Sequence, residues 1–206
     1  MNSMKNKTLA LMVCLVALTT TLYSQDRLAV PFAKSIEYEY KGDYEKAIAS
    51  LREVYEEKSY EVNVRLGWLC NLAAQYMESA DYYKKASELM PYSIEAKMGY
   101  VTASAALGNW ELVVAQYKKI LEIDPQNTVV NYRLGLIDYN NKRYATAYKY
   151  FEKVINLYPF GYDALLMFAW TNFQMGKSRE AKVLFQKVLY ISPTDKSALE
   201  GIGLIK

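Results

Sequence analysis

The sequence predicts an all-α protein, a right-handed α-solenoid of about five helix-turn-helix repeats that ends in a short C-terminal capping helix. Three observations carry this prediction. Four of the five prolines, at positions 91, 125, 159 and 193, recur at one constant interval. Residues that cap helix N-termini recur with the same period, and so do large and small apolar positions. Because one helix pair cannot bury its apolar stripes alone, the pattern favours stacking of consecutive pairs.

Composition already excludes several classes of protein. The chain has 206 residues, 52% of them hydrophobic, and no histidine. Without histidine there is no Ser/His/Asp or Cys/His relay and no imidazole ligand for zinc or iron, so we expect a protein that is not an enzyme and needs no cofactor or metal. The 25 basic and 22 acidic residues are interspersed without basic runs. We therefore expect neither nucleic acid nor an anionic membrane surface as a partner.

The N-terminal segment differs in kind from the rest. Lys5 and Lys7 precede an apolar run from Leu9 to Leu18, and a polar stretch follows that ends at Ser24. A basic start, a short apolar middle and a small residue near the cut are typical of an export signal peptide, here residues 1–24. A membrane span needs about 20 apolar residues, so we expect none once the signal is removed. The predicted location is the periplasm or envelope of a Gram-negative bacterium.

The two cysteines bear on anchoring and redox chemistry. Lipidation of Cys14 is the disfavoured alternative, because Val13 stands where a lipoprotein signal has a small residue. Removal of the signal leaves Cys70 as the only cysteine, so no intramolecular disulfide is expected. We interpret Cys70 as a small buried thiol on a helix.

The mature chain, residues 25–206, is predicted to be one repeat domain. In each repeat a first helix begins after a capping residue and breaks near a position such as Gly108 or Gly176, and a second helix runs to the proline, which ends it. The capping residues are Ser59, Ser93, Asn127, Gly161 and Asp195. The predicted repeats cover about 28–59, 60–93, 94–127, 128–161 and 162–195, and the cap covers 196–206.

At this point the sequence resembles the tetratricopeptide repeat family. Leu134-Gly135, Tyr144, Ala147 and Phe151 match its large and small positions, and the first repeat carries a family-like turn from Gly42 to Ala47. The departures are Lys34, Val101, Val113 and Ser178, which predict altered helix spacing but the same fold. A pentatricopeptide-type RNA binder is the nearest alternative solenoid, but its unit is one residue longer and its surface is basic.

The resemblance implies that first helices line a concave groove that holds a peptide or helix of a partner. On a helix of 3.6 residues per turn, the face opposite the joint within each pair is apolar and aromatic. The candidate groove residues are Phe32, Val64, Arg65, Trp68, Leu72, Met98, Tyr132, Arg133, Leu136, Tyr139, Leu166, Trp170 and Phe173. Packing between repeats is the alternative role for these side chains. Trp110, by contrast, is predicted to be a packing residue at the start of a second helix.

These observations predict a non-catalytic scaffold or assembly adaptor that binds another protein of the cell envelope. A self-associating structural component is the alternative, and an undetected hydrolase is a distant third. The family's carboxylate clamp for chaperone C-termini is not supported, because only Arg65, Arg133 and Asn71 have suitable side chains. The acidic cluster of Glu53, Glu56, Glu57 and Glu61 is interpreted as a solvated face.

Overall fold

A computed structural model describes residues 27–205, and the helices there leave only short turns between them. No strand occurs in this range. The helices, in chain order, are α1 (27–40), α2 (Tyr44–Arg52), α3 (Tyr60–Leu72), α4 (Tyr76–Leu89), α5 (Ile94–Ala106), α6 (Trp110–Ile123), α7 (Thr128–Asn140), α8 (Tyr144–Leu157), α9 (Tyr162–Gln174), α10 (Ser178–Ile191) and α11 (Lys196–Leu204).

The chain divides into two compact units, Met1–Val113 and Val114–Lys206. In the first unit α3 contacts α2, α4 and α5, and α4 contacts α5. In the second unit each helix from α7 to α11 contacts the next one, and α9 also contacts α7 and α11. Contact between each helix and the next, and between first helices of neighbouring repeats, is how a solenoid builds a continuous core. The predicted all-α solenoid class is confirmed.

Helix starts follow the capping residues seen in the sequence. The side chains of Ser59, Ser93, Asn127 and Asp195 each accept a hydrogen bond from the backbone N–H three residues later, at 2.7 to 3.3 Å. Each bond satisfies a donor that the first helical turn leaves free. The fifth capping position, Gly161, has no side chain to contribute.

The turn inside each repeat depends on one left-handed residue. Gly42, Gly108 and Gly176 have φ of +73°, +73° and +75° there, which glycine adopts without steric cost. Ala74 and Lys142 hold the same turn position with φ of +58°. The predicted break near Gly108 and Gly176 is therefore confirmed, and the turn geometry persists where the sequence carries no glycine.

Aromatic rings of second helices pack on glycines of first helices. Tyr83 of α4 touches both Gly67 and Gly99, since a Cβ built on these glycines would lie 2.8 and 2.1 Å from the ring. Phe185 of α10 packs in the same way on Gly201 of α11, where the distance would be 2.3 Å. The periodic large and small positions are thus the joints between helices.

Buried polar side chains close the turns between repeats. Asn63 donates from Nδ2 to the carbonyl oxygens of Glu57 and Ser59, at 2.9 and 2.7 Å. Asn131, two repeat periods later, donates to the carbonyl oxygens of Pro125 and Asn127, and Lys97 between them donates from Nζ to that of Pro91. The three residues recur with the repeat period, but the period alone does not predict that they bond to the turns.

The C-terminal cap is α11, which buries Ala198 and Gly201 against the second unit. Leu199 and Leu204 on the same helix are about half exposed, at 49% and 53%. No helix within residues 27–205 is long and apolar enough to cross a bilayer. The predicted signal peptide, residues 1–24, and Cys14 lie outside the described residues.

Candidate functional site

A pocket of about 430 Å³ opens in the first unit among α1, α3, α4 and α5. It brings together four of the predicted groove residues, one from α1 and three from α3. Its lining also contains four residues that the sequence analysis did not select. The lining residues are Phe32, Tyr60, Glu61, Val64, Arg65, Trp68, Tyr83 and Glu95.

Trp68 is the most exposed aromatic side chain of the pocket, with 44% of its surface accessible. Its Nε1 donates a 2.8 Å hydrogen bond to Oε1 of Glu39 on α1. Because the indole N–H is tied to the neighbouring repeat, the ring is fixed while much of its surface stays in solvent. Phe32 and Val64 are half-buried in the same lining, and together with Trp68 they form an apolar wall.

Arg65 and Glu39 form the ion pair beside this wall. Nη2 of Arg65 lies 2.5 Å from Oε2 of Glu39, and Nε of Arg65 donates to Oγ of Ser35 at 3.2 Å. Desolvation alone would raise the pKa of Glu39. Hydrogen bonds from Trp68 and Arg65, together with the guanidinium charge, outweigh it and hold that pKa below its ordinary value. Glu39 is thus a charged acceptor that positions both groove side chains.

Two carboxylates also line the pocket. Glu61 and Glu95 stand in the first turns of α3 and α5, one repeat period apart. Tyr60 donates to Oε2 of Glu95 at 3.0 Å, and its hydroxyl lies 2.8 Å from Oγ of Ser93. Burial of Tyr60, reinforced by Glu95, raises the pKa of this phenol. The pocket therefore combines an apolar wall with an acidic side.

The second unit places its predicted groove residues differently. Tyr132, Leu136 and Tyr139 pack against the buried cluster that contains Phe151. Leu166, Trp170 and Phe173 pack against the cluster that contains Phe185. Arg133 is exposed, whereas the three residues in each set are half-buried.

Trp170 illustrates this packing. Its ring centroid lies 5.0 Å from that of Phe185 and 5.6 Å from that of Phe173, both edge-on, and its Nε1 donates to Oγ of Ser197 at 2.9 Å.

In the first unit, Leu72 and Met98 are half-buried and lie outside the lining of the pocket. A binding role for the full set of candidate groove residues stays a prediction.

A second pocket, of about 500 Å³, lies in the second unit among α8, α9 and α10 and involves none of the predicted residues. Tyr148 lines this pocket, and Nζ of Lys177 lies 4.1 Å from the centroid of its ring. The lining residues are Tyr148, Phe168, Asn172, Arg179, Glu180, Val183 and Leu184.

The expectation for Trp110 is wrong. This side chain is 59% exposed, although the residue in the equivalent position of the second unit, Tyr144, packs edge-on against Tyr139 with ring centroids 5.4 Å apart. The counterpart of Tyr139 one period earlier is Ala105. Because Ala105 has no aromatic ring, Trp110 lacks the contact that Tyr144 makes.

The pocket residues missed by sequence reasoning are Tyr60, Glu61, Tyr83 and Glu95. The available signal was the spacing of Glu61 and Glu95 by one repeat period, which places both carboxylates in first helical turns. Glu61 is exposed, as the interpretation of the acidic cluster as a solvated face predicts. What the sequence did not reveal is that it borders the same cavity as Glu95.

The structure also describes the Cys70 thiol and the acidic side chains. Burial raises the pKa of the Cys70 thiol to about 11, which disfavours the nucleophilic thiolate at neutral pH. Within residues 27–205 no group of three or more Cys, Asp or Glu side chains is arranged to hold a metal ion. In the predicted acidic cluster, Glu56 pairs with Arg27 at 2.9 Å and Glu57 pairs with Lys85 at 3.2 Å, all on the surface.

Comparison with protein families matches tetratricopeptide repeat models at residues 32–59, 130–160 and 162–195. These matches, the contacting helix pairs joined by short turns and the constant repeat period define a solenoid of helix-turn-helix repeats. The chain carries tetratricopeptide repeats in both of its units.

Solved structures of the same repeat type are similar in fold. The crystal structure of MamA has a TM-score of 0.68 with 20% identity, and the match covers 78% of this chain and 89% of MamA. A tetratricopeptide repeat protein from Parabacteroides merdae has a TM-score of 0.70 with 22% identity, covering 84% of this chain and 69% of that one. At these identities the likeness shows the fold alone.

Among curated proteins, the chain is similar to repeat segments of longer ones. It is 20% identical over 132 residues to the CTR9 homolog of Arabidopsis thaliana, which covers 64% of this chain and 12% of that protein. It is 24% identical over 177 residues to the TPR repeat-containing protein YpiA of Bacillus subtilis, covering 84% of this chain and 42% of YpiA. The chain thus spans less than half the length of these relatives.

Proposed function

We propose that this protein is a non-catalytic protein–protein interaction scaffold, or assembly adaptor, that holds a peptide or helix of a partner in the pocket of its first unit. The observation that carries the proposal is Trp68. It presents nearly half of its surface to solvent beside Phe32 and Val64, and its hydrogen bond to Glu39 fixes its orientation. A preorganised, partly exposed aromatic ring is typical of residues that dominate binding energy at interfaces.

The shape and chemistry of the pocket favour a side chain of a protein partner. The cavity is open to solvent, and a volume of about 430 Å³ accommodates one or two side chains of a bound segment. Its polar groups are the guanidinium of Arg65, two phenols and two carboxylates. They can orient a ligand through hydrogen bonds, and the tetratricopeptide family supports such a role because its members bind protein partners.

Export to the envelope of a Gram-negative bacterium is the second part of the proposal. It rests on Lys5, Lys7 and the apolar run from Leu9 to Leu18, which precede the described residues. N-terminal sequencing of the protein purified from its producing cell tests it, with a mature N-terminus near Gln25 expected. Retention of Lys5 or a lipid on Cys14 would contradict this part of the proposal.

Self-association is the alternative function, and the exposed side of α11 favours it. Leu199 and Leu204 are 49% and 53% exposed on a nine-residue helix. A second copy that covered this surface would remove apolar area from water. Measurement of the mass in solution, with Leu199→Ser as the variant, separates the two functions: the scaffold proposal expects a monomer for both proteins.

The main test compares two tryptophans in a quantitative pull-down from envelope fractions. Trp68→Ala should weaken capture of the specific partner by at least about 2 kcal/mol, equivalent to about thirtyfold, because an aromatic anchor is lost. Trp110→Ala is the matched control, since Trp110 is an exposed tryptophan outside the pocket. Equal recovery of partner by Trp68→Ala and by the unmodified protein would contradict the proposal.

A further inference from the structure

We infer that the partner segment bound by this pocket carries a lysine or arginine next to the apolar side chain that fills it. The inference rests on the proposed function, because it names the chemistry of the ligand for the same pocket. The structural basis is the pairing of an apolar wall, formed by Phe32, Val64 and Trp68, with two carboxylates in one cavity lining.

The charge balance of the pocket lining is negative. Arg65 is the one cation of that lining, and its guanidinium is already neutralised by Glu39 at 2.5 Å. Glu61 accepts a hydrogen bond from Ser59 at 3.2 Å, and Glu95 accepts one from Tyr60 at 3.0 Å. Neither carboxylate forms an ion pair with a residue in the described range 27–205, so both charges remain available to a ligand.

Some exposed glutamates of the same unit are already neutralised. Glu56, Glu57 and Glu78 each pair with a basic residue of a neighbouring element, namely Arg27, Lys85 and Arg52. A first-turn position explains why a glutamate is tolerated at residues 61 and 95, since it complements the helix dipole. That position does not explain why the two carboxylates border one apolar cavity.

A lysine or arginine side chain fits both halves of this lining. Its aliphatic stem can pack beside the apolar side chain that fills the pocket, while its charged end reaches the carboxylates. The exposed face of Trp68 adds an attractive surface for a cation. An acidic ligand would meet like charges at Glu61 and Glu95 and be disfavoured, so the same arrangement gives selectivity as well as affinity.

The test is selection of a random peptide display library on three proteins: the unmodified chain, Trp68→Ala and the double variant Glu61→Gln/Glu95→Gln. Peptides that depend on Trp68 should contain an apolar or aromatic residue beside lysine or arginine. The same peptides, synthesised singly, should bind the double variant about tenfold more weakly. Their affinity for the unmodified chain should fall between about 50 mM and about 500 mM NaCl, where screening becomes strong, and change much less in the double variant.

The control variant is Glu56→Gln/Glu57→Gln, which removes two exposed carboxylates outside the pocket and should leave peptide affinity unchanged. Trp68-dependent peptides without basic residues, or equal affinity for Glu61→Gln/Glu95→Gln, would overturn the inference and leave the scaffold function intact. A selection that yields no peptide dependent on Trp68 would contradict both the inference and the binding role of the pocket.

Discussion

Trp68 and Trp170 occupy the same position of the repeat, three repeat periods apart, and yet they have different environments. In the first unit the indole of Trp68 donates back to α1, through Glu39, and its ring lines an open pocket. In the second unit the indole of Trp170 donates forward to α11, through Ser197, and its ring packs edge-on against Phe185. The two rings therefore differ both in their hydrogen-bond acceptor and in their exposure.

Residues at the same repeat position meet different neighbours in the two units. The period places both tryptophans on the same face of a first helix, and the neighbouring repeats supply different acceptors. The residue that corresponds to Ser197 in the first unit is Glu95, whose carboxylate accepts from Tyr60. Equivalent positions therefore share a direction, while burial depends on the side chains that the adjacent repeats contribute.

The largest expected effect is the difference in stability between the two tryptophan variants. Trp170→Ala should lower the free energy of unfolding by about 3 kcal/mol, because it removes a packed ring and leaves a cavity beside Phe185. Trp68→Ala should cost about 1 kcal/mol, because its ring is already 44% exposed. Urea denaturation followed by circular dichroism measures both values. Equal losses would mean that Trp68 belongs to the core of the first unit.

The packing of rings on glycine should be sensitive to a single methyl group. Gly201→Ala is expected to destabilise the protein by about 1 to 3 kcal/mol, because the added Cβ would lie 2.3 Å from the Phe185 ring. Gly203→Ala on the same helix meets nothing within 4 Å and should stabilise it by up to about 1 kcal/mol. Thermal unfolding of both variants gives the comparison.

The first unit contains the same kind of joint, and Gly99→Ala extends the test to it. Its added Cβ would lie 2.1 Å from the Tyr83 ring, so a cost similar to that of Gly201→Ala is expected. If Gly99→Ala proved neutral while Gly201→Ala did not, the two joints would differ in how far their rings can move.

Alkaline pH should distinguish Tyr83 from its counterpart Phe185. Burial raises the pKa of Tyr83 to about 12, above the value of about 10 in an unfolded chain. Between these values the unfolded state loses its proton first, so stability contributed by this group is present below about pH 10 and is lost as the pH rises toward 12. Near pH 11 the loss is about 1 kcal/mol.

Tyr83→Phe removes this titration, so the variant should lose less stability than the unmodified protein between about pH 10 and about pH 11.5. Urea titrations at each pH measure the difference, and the other tyrosines contribute equally to both proteins. Identical pH dependence would show that the Tyr83 hydroxyl reaches water in the folded state.

The smallest effects should come from ion pairs. In the second unit Arg143 donates from Nε and Nη2 to Oδ1 of the largely buried Asp138, at 2.9 and 2.6 Å. In the first unit Arg27 and Glu56 are both more than half exposed. Arg143→Gln should cost about 1 kcal/mol, because a buried carboxylate loses its partner, and Arg27→Gln less than about 0.5 kcal/mol. Chemical denaturation of both variants checks this order.

The sequence predicted which helix face contributes to the candidate site, but it predicted only some of the residues that line the pocket. The helical period selected Phe32, Val64, Arg65 and Trp68, which the structure gathers into one pocket. It also selected residues such as Tyr132 and Trp170 that pack against buried clusters, because one helix face serves both solvent and the adjacent repeat. It failed for Trp110, whose packing required a ring on the preceding helix.

The sequence by itself determined the repeat, because helix caps, glycine turns and proline stops act within a few residues of the chain. It also determined the joints, since large rings and small partners recur in phase. Only the tertiary structure decided that Glu61 and Glu95 border the same cavity as Trp68, and that Glu39 rather than solvent satisfies the Trp68 indole. Those contacts join different repeats, and a period that is the same in every repeat carries no information about which side chains the neighbouring helices supply.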